Sequence, residues 1–121
     1  MKKNTGTPTT EAFLEGKSAH TLELFHHFVN TFQQLATVTL HPAKTMIGIH
    51  NGRRNVAWIT ALGKNFVHVV FPFSQPYNDN LCFVKIAQVP GTTQYNHHFR
   101  MLAKEDINEE VLAFMKRAIQ D

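Results

Sequence analysis

Residues 56–73, VAWITALGKNFVHVVFPF, leave the chain few choices. Two runs rich in Val, Ile, Phe and Trp flank Gly63-Lys64, a composition that fits paired strands on a half-buried sheet. Glycine at the first central position suits a type II′ hairpin turn, whose twist matches that of the strands it joins. With Leu62 opposite Asn65, counting back pairs Thr60 with Val67, Trp58 with Val69 and Val56 with Phe71. Those side chains share one face, because successive residues of a strand point to opposite sides. Ala57, Ile59 and Ala61 share the other face with Phe66, His68 and Val70. The first face is larger and more apolar and is assigned to the core. A slip of one residue would exchange the two faces.

Around this ribbon the pattern changes period. Near residues 10–16 a short helical turn, TEAFLEG, stops at Gly16, and Ser18 offers an N-cap for the helix that follows. Leu22, Phe25, Phe28, Val29, Phe32 and Leu35 recur at three- and four-residue steps and form one apolar stripe. Extended segments are expected at 37–41 and 44–50, with Asn51-Gly52 as a hairpin signal before the ribbon. SQPYNDN at 74–80 is turn chemistry. Residues 82–88 and 97–102 read as two further strands. Asp106 with Glu109 spells a capping box for a last helix whose stripe is Ile107, Val111, Phe114, Met115, Ala118 and Ile119. The expected fold is an α+β two-layer sandwich: an antiparallel meander sheet of about five strands, with the N- and C-terminal helices on one face.

At 121 residues, 43% hydrophobic and 17% charged, the chain has the size and composition of one packed domain. Residues 10–121 are assigned to it, and 1–9 to a disordered polar arm that lacks the apolar stretch of a secretory signal. No apolar run approaches the roughly 20 residues of a membrane span. One cysteine, Cys82, precludes an internal disulfide framework, so a cytoplasmic location is expected.

Several segments carry a resemblance: EAFLEGK, then a helix, PAKTMIGI, RNVAWI, the VPG loop, a lone HHF strand and EDINEEVLAFMKRAI. Over roughly residues 10–120 the chain resembles an uncharacterised bacterial family, Domain of Unknown Function 5655. The resemblance implies the fold. It implies no catalytic residues, because the family has no established activity.

Charge is the most informative functional feature. From Leu24 to Lys104, seven basic residues (Lys44, Arg53, Arg54, Lys64, Lys85, Arg100 and Lys104) face one acid, Asp79. Residues 105–121 carry five acids against Lys116 and Arg117. The sheet layer is thus basic and the final helix acidic, which points to an anionic partner on the sheet side. Strand parity places Lys44, Met46, Ile59, Phe66, His68, Phe83, Lys85, His98 and Arg100 on the open face. Of these, Lys44, Phe66, His68, Lys85, His98 and Arg100 are the candidate ligand-binding residues. Cations interleaved with rings suit single-stranded nucleic acid, where bases stack and phosphates pair. A one-sided sheet must also show something polar to water, and Lys, Arg and His are ordinary choices for that. Exposed Ile59, Phe66 and Phe83 would make an apolar patch for a homodimer.

Other chemistry finds little support. Eight histidines invite a metal, but none stands in an HExxH frame, and a single cysteine cannot build a structural zinc cluster. No metal, cofactor or catalytic residue is assigned. His68 with His98 in a sheet-face pocket is the enzymatic alternative, although a general base needs a partner and Asp79 is the only acid in the region. Ser74 and Cys82 lack an activating neighbour. Glycine-rich phosphate loops are absent. The expectation is a non-catalytic binding or accessory domain, with an anionic ligand, nucleic acid or a protein as partner and no membrane.

Overall fold

The computed structural model describes residues 7–120. Their elements are α1 (Thr10–Leu14), α2 (Ala19–Leu35), β1 (Thr39–Pro42), β2 (Ile47–His50), β3 (Asn55–Gly63), β4 (Phe66–Phe73), β5 (Lys85–Gln88) and β6 (Tyr95–Met101), then a 3-10 turn at Lys104–Asp106 and α3 (Glu109–Gln120). The strands form one antiparallel sheet in the order β1-β2-β3-β4-β6-β5. The α+β sandwich is as expected. It has six strands rather than about five, and β6 inserts between β4 and β5, so the last two strands exchange places. The first six residues of the expected polar arm lie outside the described residues. Thr9, at its far end, caps α1 by accepting from Ala12 N at 3.1 Å. Among the described residues no helix is long and apolar enough to cross a membrane.

Helix α2 follows its sequence signals. Ser18 caps it, its hydroxyl accepting from Thr21 N at 3.1 Å. Leu24, Phe25, Phe28, Val29 and Phe32 are its buried apolar residues. Each such side chain contributes about 2 kcal/mol by leaving water. Thr21, fully buried, ties the helix to the central hairpin. Its Oγ1 donates to Gly63 O at 2.7 Å and accepts from Asn65 N at 2.9 Å.

The hairpin itself departs from the simple count. The turn is Lys64-Asn65, flanked by the pair Gly63–Phe66, and the positive φ falls on Asn65 at 67°. Asparagine tolerates that region better than most residues. Gly63 is required for a different reason: the Phe66 ring lies on it, and a Cβ there would overlap the ring. Leu62 pairs with Val67, Ala61 with His68 and Ile59 with Val69, so Thr60 is an extra residue at a β-bulge. The bulge inverts the parity of most of β3. Ala57 and Ile59 are buried in the core, whereas Trp58 is half-buried and Ala61 exposed. Val56 is the extra residue of a second bulge against β2, and it too is buried. On β4 the expected parity holds, with Val67, Val69, Phe71 and Phe73 in the core.

Two further expectations change. The cap of α3 is Asn108, whose Oδ1 accepts from Val111 N at 3.0 Å. Asp106 instead closes the 3-10 turn, its Oδ2 accepting from Leu102 N at 2.7 Å and Ala103 N at 3.0 Å. Phe83 is not on the open face. Strand β5 begins only at Lys85, so alternation does not govern Phe83. Its half-buried ring packs against the core, 4.8 Å from Phe114 and 4.9 Å from His97 between centroids.

Candidate functional site: the open face of the sheet

Helices α2 and α3 both pack on the face carrying Ile59, Val69 and Phe99, and the opposite face of β4, β6 and β5 is left open. Cross-strand pairing sets its rows. His68 lies beside Arg100, and Val70, His98 and Lys85 lie side by side across three strands. Phe66 begins β4 just below His68, and the Arg100 guanidinium sits 4.5 Å above its ring. Gly63, Phe66 and Arg100 therefore stack: the bare glycine seats the ring, and the ring seats the cation.

At the centre of the face His68 and His98 hydrogen-bond ring to ring, Nε2 to Nδ1, at 2.9 Å. One of these nitrogens must donate and the other accept, so the contact holds a single proton. The second ring nitrogen of His68, Nδ1, is buried without a hydrogen-bond partner. Burial holds His68 below the usual imidazole range, helped by the adjacent His98 and Arg100. Burial also lowers His98, with the Lys85 charge adding to it. Near neutral pH both rings are neutral, and the permanent charges of the cluster are Lys85 and Arg100.

Five of the six candidate residues (Phe66, His68, Lys85, His98 and Arg100) are thus brought together on β4, β6 and β5. Lys44 is not. It is exposed in the turn between β1 and β2, with β3 intervening before the cluster begins on β4. Ile59 and Phe83, expected here, are in the core or against it, and Met46 precedes β2 and is half-buried. Of the three residues of the expected apolar patch, Ile59, Phe66 and Phe83, Phe66 alone is on this face. The large apolar side chains most exposed among the described residues are Leu81, Val84 and Leu102, around the start of β5. A second histidine pair, His41 and His50, stacks at 4.2 Å with rings 8° apart on β1 and β2.

Other titratable groups find structural roles. His97, next to His98 but on the opposite face, is fully buried. Its Nε2 accepts from Tyr77 N at 3.1 Å, which fixes the tautomer, and Nδ1 donates to Tyr95 O at 2.9 Å. Burial again lowers its pKa. Cys82 is half-buried, and burial with the nearby Glu110 carboxylate pushes its thiol up to about 12. It is a thiol, not a thiolate, at neutral pH and a poor nucleophile. Among the described residues no group of three or more His, Cys, Asp or Glu side chains could hold a metal ion.

Sequence reasoning missed a second feature of the open side. Arg54, Asn55, Trp58, Pro72, Phe73, Ser74, Thr93 and Gln94 line a cleft of about 290 Å³. It forms where the start of β3, the end of β4 and the loop from β5 to β6 converge. The bulge that turned Trp58 out of the core is what supplies its aromatic wall.

A model of the family Domain of unknown function (DUF5655) matches residues 10–121, and the chain belongs to that family. No curated protein and no solved structure matches it.

Proposed function

We propose that this member of the Domain of unknown function (DUF5655) family is a non-catalytic binding domain whose open sheet face takes an extended anionic ligand, with single-stranded nucleic acid the best chemical fit. The observation that carries this reading is the contiguity of Phe66, His68, Lys85, His98 and Arg100 on three neighbouring strands, on a face where the paired strand residues include no carboxylate. Exposed cations can meet phosphates, and a half-buried ring with a guanidinium on it offers a planar surface to a base. The enzymatic alternative lacks support from the same geometry. The His68–His98 pair has no described carboxylate to orient it, and Cys82 stays protonated.

Binding of a fluorescein-labelled oligothymidylate, followed by anisotropy near neutral pH, tests the proposal. With Lys85 and Arg100 each neutralising one phosphate, the slope of log K against log salt is about −1.4, at about −0.7 per contact on a single strand. Arg100→Gln reduces the slope to about −0.7 and weakens binding. Absence of binding at low salt, or binding indifferent to salt, would overturn the reading.

A further inference from the structure

We propose that the cleft around Trp58 is a separate small-molecule site for a nucleoside monophosphate. This inference goes beyond the binding face and does not depend on it, since Trp58 reaches His98 only across Val70 of the intervening strand.

Four observations define the ligand. First, a volume of about 290 Å³ is at the small end of ligand sites, which suits a monomer and not a polymer. Second, Trp58 is half-buried, anchored in the sheet between Gly48 and Val70. An indole held this way is a stacking surface for a planar heterocycle. Third, the cleft contains a guanidinium and no lining carboxylate. Arg54 is held in place by its Nη2, which donates to Ala118 O at 3.1 Å near the end of α3. Of the five N–H donors on a guanidinium, the described contacts use two, on Nη1 and Nη2. A positioned cation with donors to spare is suited to phosphate.

The fourth observation is Asn55. Its amide lies against Gly48, where a Cβ would come within 2.5 Å of Oδ1. That oxygen is buried and has no hydrogen-bond partner. Buried polar groups are ordinarily paired, and an exception calls for an explanation. Turning the amide about its side-chain bonds would bring Oδ1 from Gly48 to the cleft wall beside Trp58, where a donor on the edge of a heterocycle would provide the missing partner. Gly48 keeps the space that lets the amide sit there.

The chain has one tryptophan, so its fluorescence reports on this cleft directly. Adenosine 5′-monophosphate titrated into the whole protein is expected to quench the emission saturably. Adenosine and ribose 5-phosphate, each lacking one half of the recognised chemistry, should bind at least about tenfold more weakly. By calorimetry, Asn55→Ala and Trp58→Leu should each weaken the nucleotide about tenfold, whereas Lys85→Ala and Arg100→Gln should leave it unchanged. Because Arg54 also holds α3, Arg54→Gln is read together with its circular dichroism and melting curve. No saturable quenching by millimolar nucleotide overturns the proposal. So does equal binding of adenosine or ribose 5-phosphate, or loss of binding on Lys85→Ala, which would move the ligand to the other site.

Discussion

Replacing Ile59 by lysine is expected to unfold the protein, while the same replacement two residues later, at Ala61, leaves stability within about 0.5 kcal/mol. Ile59 is 2% exposed and pairs with Val69 in the middle of the core. A lysine there must either bury an unpaired ammonium or force the strand apart, and such changes cost more than about 4 kcal/mol. Ala61 is exposed beside His68 on the open face, where a long cationic side chain reaches water. In a regular strand, residues 59 and 61 would share one face and the two variants would behave alike. The bulge at Thr60 sets them on opposite faces. Urea unfolding followed by circular dichroism measures both, and equal losses would refute the bulge.

His97→Ala is expected to cost about 3 kcal/mol. The ring packs against Phe73, Tyr77 and Phe83 at centroid distances of 5.0, 5.5 and 4.9 Å. Removing a buried ring of this size leaves a cavity and forfeits aromatic contacts. It also strands the Tyr77 N–H that the imidazole accepts from, adding the cost of an unsatisfied donor. Equilibrium denaturation gives the loss directly; a change below about 1 kcal/mol would mean that this cluster does not hold the 74–80 loop to the sheet. Acid acts in the same direction. His68, His97 and His98 all have folded pKa values below the ordinary 6.5, chiefly because burial disfavours the charged ring. Above 6.5 neither state is protonated at these sites and their contribution is complete. As pH falls below 6.5 the unfolded chain takes up protons that the folded one resists, so stability declines toward the folded pKa values. The urea midpoint should therefore drop on going from pH 7 to 5.

Much of the architecture was legible because it rests on local rules. Ser18 announces its helix through a side-chain acceptor, and the Phe28–Phe32 stripe has only one way to leave water. The outward parity of Phe66, His68, His98 and Arg100 follows from alternation within β4 and β6, which are uninterrupted against each other. The errors come where alternation breaks without a marker. Nothing at Thr60 flags a bulge, since neither glycine nor proline stands there, and the inversion of β3 hid Trp58 in an expected core. Phe83 alternates with its neighbours as a strand residue would, yet the strand starts two residues later. Asp106 and Asn108 are both good caps, and the choice between them depends on where β6 ends.

The sequence by itself determined the class of fold, the two helical stripes, the excess of basic residues between Leu24 and Lys104 and which histidine of the 97–98 pair faces out. Periodicity and charge are properties of neighbours along the chain, so a chain alone can display them. Only the tertiary structure decided that β6 lies beside β4, joining His68 to His98, and that Arg54, Asn55 and Trp58 meet Thr93 and Gln94 in one cleft. Those meetings depend on strand order and on an unpaired residue in a ladder. Both are settled by the competition of whole faces for burial, a sum over the molecule that no short window of residues contains.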